Sequence, residues 1–71
     1  MNNNIHSIKE KYNLSDRESE VLNQIILGKT VKEISDYLCI SVATVKTHKV
    51  HIMNKMNVKK STLLVKICME D

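Results

Sequence analysis

With 71 residues and a formal net charge of +3, the chain has room for one domain whose core hides only about 60% of the surface the unfolded chain exposes, so help from a second subunit is plausible. That core must come from Ile, Leu, Val and Met, because Phe and Trp are absent and Tyr12 and Tyr37 are the two aromatic residues. No apolar run approaches membrane-span length, no basic segment leads into one, and Cys39 and Cys68 lack metal-ligand spacing, which argues against insertion, export and a structural metal and fits a reducing, cytoplasmic setting.

The pattern is helical from end to end and predicts an all-α fold. Residues 1–12 read as a polar N-terminal extension, in which Ile5, Ile8 and Tyr12 share a helical face and allow a short extra helix. Ser15 and Glu18 have capping-box spacing, Val21, Leu22, Ile25 and Ile26 follow as one apolar stripe, and Gly28 suits a left-handed stop; the expected helix is Asp16–Leu27. Thr30 and Glu33 repeat the capping box and predict a second helix over Val31–Leu38, burying Ile34 and Leu38. Ser41 caps a third helix from Val42 to about Met56, and Ser61 can cap a last one from Thr62 to Met69. Both cysteines are expected in or near the core, since free Cys is among the most buried residue types.

The segment 30–56 is the informative part. Only Cys39, Ile40 and Ser41 join the second and third helices, and so short a turn makes them cross steeply, as in a helix-turn-helix. Charge follows the same segment. Residues 1–30 carry four positive and four negative side chains, whereas residues 31–60 carry six Lys against Glu33 and Asp36, a net of plus four. On the third helix Val45, Ile52 and Met56 form the inward stripe, His48 and Lys49 stand on its shoulders, and Ala43, Lys46, Thr47, Val50 and Asn54 form the outer face. A major-groove helix presents such a face to base edges: Lys46 can donate to guanine, Thr47 can donate, accept or offer its methyl, and Val50 can meet thymine methyls.

Leu14, Ser15, Arg17, Glu18, Glu20, Val21 and Leu22, then Gly28, Lys32, Glu33, Ile34, Leu38, Ile40, Ser41, Thr44, Val45, Lys46, His48, Ile52, Lys55 and Val58, resemble the LuxR-type DNA-binding domain of NarL/FixJ response regulators and quorum-sensing receptors. The resemblance spans Asn13 to Met69 and implies a four-helix domain over residues 13–71 that inserts its third helix into promoter DNA. It also implies that Lys46, Thr47 and Val50 face bases and that Lys32 and Thr44 touch phosphates. Ser41 at the helix start, with Lys49 and Asn54 on or beside the outer face, completes the expected phosphate set. The sequence departs from the family in Ser35, where Ala is usual, in Met56–Asn57, where Leu-Gly is usual, and in Ser61, Leu63 and Leu64 of the last helix. There the helical wheel turns Leu64, Val65 and Cys68 inward and Leu63 and Ile67 outward with Lys66 between them, which predicts a two-fold contact and hence a homodimer.

Three other readings compete. His48 and His51 have a spacing that could serve a metal but lack a third ligand, so no cofactor or metal is expected, and no nucleophile constellation or Gly-rich phosphate loop supports an enzyme. A sigma-factor promoter-reading region shares the SxREXEVL opening, against which stands His48 after Thr44, Val45 and Lys46. An interaction protein could use the last helix to heterodimerise with a longer LuxR-type regulator. The leading expectation is a dimeric, sequence-specific transcription regulator in the cytoplasm, with double-stranded promoter DNA and RNA polymerase as candidate partners. Only about a dozen residues precede the first strong helix, so a stand-alone domain without a receiver or ligand-binding partner is expected.

Overall fold

The computed structural model describes residues 4–70, with the side chains of residues 4–7, 61, 69 and 70 outside that description. Its elements are α1 (Asn4–Lys11), α2 (Asp16–Ile26), α3 (Val31–Leu38), α4 (Val42–Met56) and α5 (Ser61–Glu70), with no strand among the described residues. The all-α expectation holds, with the optional extra helix present as α1. Residues 1–3 of the polar leader lie outside the described part, as do the Ile5 side chain and the capping hydroxyl proposed for Ser61.

Local chemistry explains where the helices stop. Each of α1 to α4 ends on a residue in the left-handed region: Asn13 (φ 56°), Gly28 (φ 84°), Cys39 (φ 58°) and Asn57 (φ 56°). At each end the next amide reaches back five residues, as Leu14 N does to the Lys9 carbonyl (2.9 Å), Lys29 to Gln24 (3.1 Å), Ile40 to Ser35 (3.1 Å) and Val58 to Met53 (3.0 Å). These bonds satisfy carbonyls that a helix end leaves unpaired. At three of these ends the capping residue of the next helix, Ser15, Thr30 or Ser41, stands two positions after the left-handed residue, so these connections are only three or four residues long.

Ile8, Leu14, Val21, Leu22, Ile34, Val45, Ile52, Met56, Leu64 and Cys68 form the core. Helix α4 lies against α2 and α3, while α1 packs on α2 and α5. Ile8 is therefore a core residue although it stands in the polar extension, and Tyr12 packs against the core beside it. Two departures from the family pattern are accommodated: the buried Ser35 hydroxyl donates to the Lys32 carbonyl at 2.9 Å, and Asn57 takes the left-handed position that Gly would fill. Cys68 is buried as expected, but Cys39 is exposed. The reason is its place at the left-handed stop of α3, where the chain turns over the surface.

Candidate nucleic-acid interface

The helix-turn-helix comprises α3, the Cys39–Ile40–Ser41 turn and α4. Val45 and Ile52 are fully buried and Met56 nearly so, which anchors α4 by one stripe. Ala43, Lys46, Thr47, Val50 and Asn54 are all exposed on the opposite face, and His48 and Lys49 are intermediate, as the helical wheel requires. Val50 is 54% exposed, an apolar β-branched side chain in the middle of a polar face.

Two details change what this face can do. The Thr47 hydroxyl donates to the Ala43 carbonyl at 3.0 Å, so its proton is committed and it offers a groove its lone pairs and its methyl. The start of α4 also differs from those of α2 and α3. Ser15 and Thr30 sit in full capping boxes with Glu18 and Glu33, whereas Ser41 accepts from the Thr44 amide at 3.0 Å and pairs with the Thr44 hydroxyl at 2.8 Å. No acidic residue stands in the first turn of α4. Its partial positive end and two hydroxyls thus face solvent with no carboxylate to neutralise them, a disposition suited to a phosphate. Lys32, on α3, is exposed and lies 3.6 Å from Asp36, a surface pair weak enough for a phosphate to displace.

A second cluster escaped sequence reasoning. The Glu18 side chain is only 6% exposed; its Oε1 accepts from the Ser15 amide (2.9 Å) and from Lys55 Nζ (2.8 Å), and Oε2 lies 3.6 Å from His51 Nδ1. Lys55 Nζ also donates to the Asn13 carbonyl at 3.1 Å. Burial pushes the Glu18 carboxyl up, but the Lys55 ammonium and the Ser15 amide and hydroxyl outweigh it and hold the group below the usual glutamate range. No local pattern could have revealed this, because Glu18 and Lys55 stand 37 positions apart. The two histidines also separate: His51 turns toward Glu18, whereas the Nδ1 of His48 is buried without a hydrogen-bond partner.

On α5 the structure places Leu63 (38% exposed) and Lys66 on the surface, with Leu64 and Cys68 buried beneath. Ile67 departs from the wheel: it is partly buried against the core, because α5 is covered by α1 as well as by α2 and α4.

Residues 12–68 match the bacterial regulatory proteins of the luxR family. The chain belongs to that family. Its helix-turn-helix is the family's DNA-binding domain, which is not an enzyme class. The chain is 47% identical over 53 residues to the uncharacterized response regulatory protein YgeK of Escherichia coli K12, covering 75% of this chain and 36% of that protein. It is 46% identical over 57 residues to the oxygen regulatory protein NreC of Staphylococcus carnosus, and 44% identical over 57 residues to NreC of Staphylococcus epidermidis, in each case covering 80% of this chain and 26% of the relative. The chain thus spans about a third or less of these relatives' length. No solved structure matches it significantly. Helix α1 lies outside the family match, and among the described residues no helix is long and apolar enough to cross a membrane.

Proposed function

We propose that the chain regulates transcription in the bacterial cytoplasm by binding promoter DNA as a dimer, with α4 in the major groove. The observation that carries this reading is the outer face of α4, where Val50 stands bare between Lys46, Thr47 and Asn54. Burying such a residue against thymine methyls gives it a role that folding does not. Lys46 donates to guanine O6 and N7, Thr47 accepts from an exocyclic amine or lays its methyl on thymine, and Val50 supplies apolar contact. Ser41 and Thr44 at the start of α4, together with Lys32, Lys49 and Asn54, hold phosphates and fix register without reading sequence.

Pairing through Leu63, Lys66 and Ile67 brings two copies of α4 to half-sites about 10 base pairs apart or a multiple of that. The exposure of Leu63 supports this contact and serves a heterodimer with a longer relative equally well. RNA polymerase is the partner through which a promoter-bound dimer acts. Selection of bound duplexes from a random DNA pool tests the reading. It should return an imperfect palindrome, and Lys46→Ala should relax one base position while Lys32→Ala weakens all sequences alike. Equal losses on selected and scrambled DNA for Lys46→Ala would remove its base-reading role.

A further inference from the structure

We propose that Glu18 and Lys55 form a positioning pair that sets the seat of α4 on the domain, and that Lys55 acts in DNA binding through this contact without touching phosphate. The inference rests on the DNA-reading function proposed above. Lys55 lies in the last turn of α4, among the basic residues that give this part of the chain its positive surplus, and by charge alone would count as a phosphate ligand. Its ammonium points elsewhere. Two of its three donors are taken, one by Glu18 Oε1 at 2.8 Å and one by the Asn13 carbonyl at 3.1 Å. Drawing Lys55 onto a phosphate would leave an almost wholly buried carboxylate with only the Ser15 amide and His51 beside it, and removing the cationic partner of a buried charge costs more than a surface contact returns.

The place of the pair gives it leverage. Asn13 is the left-handed stop of α1, Ser15 caps α2, and one oxygen of Glu18 accepts from both the Ser15 amide and Lys55. The Lys55 ammonium therefore ties the last turn of α4 to the end of α1 through the Asn13 carbonyl and to the start of α2 through the Glu18 carboxylate. His51, one turn earlier on α4, faces the other oxygen of the same group. The apolar stripe of Val45, Ile52 and Met56 anchors α4, but the attraction that holds it is not directional. A charge-assisted bond at 2.8 Å is directional and fixes the end of the helix opposite Ser41 and Thr44. Lys46, Thr47 and Val50 lie between these two ends, so their aim depends on both.

The test compares Lys55→Met, Lys55→Arg, Glu18→Gln and the Glu18→Gln/Lys55→Met double variant for binding to a duplex enriched by the wild-type chain, over a range of salt. Lys55→Met should lose roughly tenfold in affinity, the loss expected when about one base contact is misaligned. The slope of log affinity against log salt should stay at the wild-type value. Lys55→Arg should recover most of the loss, and the double variant should bind no worse than the weaker single one. A slope reduced by about 0.9 per bound subunit in Lys55→Met, the signature of one lost phosphate contact in each, would overturn the inference, as would fully additive losses in the double variant. Circular dichroism checks that each variant is folded. Should Lys55→Met be unfolded, Lys55→Gln, which keeps a donor, is read in its place against the same two criteria. If the wild-type chain enriches no duplex, the DNA-reading function is what fails. The positioning pair is then judged from amide residual dipolar couplings: a changed angle of α4 to α2 in Lys55→Met supports it, and an unchanged angle overturns it.

Discussion

Helices α2 and α3 begin with the same four-residue device, a hydroxyl followed three positions later by glutamate, and the two copies are nearly superimposable in their bond lengths. Ser15 and Glu18 exchange bonds of 2.9 and 3.1 Å, and Thr30 and Glu33 exchange bonds of 2.8 and 3.1 Å. Their fates diverge beyond the device. Glu33 is exposed and its carboxyl is lowered chiefly by the Thr30 amide, with Lys29 nearby, so its bonds stay at its own helix start. Glu18 is buried and is shared with Lys55 and His51 across the fold. One motif is thus a helix start in one place and a joint between three elements in another. The start of α4 extends the lesson: it keeps the hydroxyl, drops the glutamate, and leaves its positive end free for the anion that the proposed function brings to it.

The comparison predicts a large difference between formally identical substitutions. Glu18→Ala should destabilise the domain by about 2–3 kcal/mol, from a lost cap bond plus a lost charge-assisted bond that leaves Lys55 without its carboxylate. For a domain of this size that lowers the melting temperature by roughly 10–20 °C. Glu33→Ala should lower it far less, and equal drops in thermal melts would erase the distinction. Acid sharpens the contrast. Because the folded Glu18 carboxyl ionises below its unfolded range, its contribution is present above the ordinary glutamate range and is lost as pH falls through the lower folded value. Urea titrations on the acid side should therefore show a shallower loss of stability in Glu18→Gln than in wild type.

Restoring the missing glutamate should have opposite effects on folding and on binding. Thr44→Glu rebuilds a capping box at the start of α4 and should raise the melting temperature slightly, while placing a carboxylate where phosphate is proposed to sit. DNA affinity should then fall by roughly tenfold or more, with weaker binding to every sequence. Unchanged affinity in a gel shift would mean that the bare end of α4 does not meet phosphate. The smallest expected effect lies in the turn itself. Cys39 is neither Gly nor Asn, yet holds a left-handed conformation that disfavours most side chains, and Cys39→Asn should stabilise the domain by about 0.5–1 kcal/mol in denaturant melts.

The helix ends were legible because they are local. A hydroxyl at the cap and a carboxylate three residues later meet whenever the helix forms, and so the starts of α2, α3 and α4 could be read from Ser15, Thr30 and Ser41 alone. Periodicity likewise separated the inward stripe of α4 from its outer face, since one helix turned through 100° per residue settles which side chains share a side. Membership of the luxR family was legible for the same reason, being a run of such local signals in fixed order. What the sequence left open depends on packing between distant segments. Whether Ile8 joins the core, whether Ile67 is covered, whether Cys39 is buried and which of two equivalent glutamates becomes an interhelical joint are each decided by what lies across the fold. The Glu18–Lys55 bond is the clearest case: its partners are separated by 37 positions, and the seating of α4 on α2 brings a buried carboxylate to an ammonium that balances it.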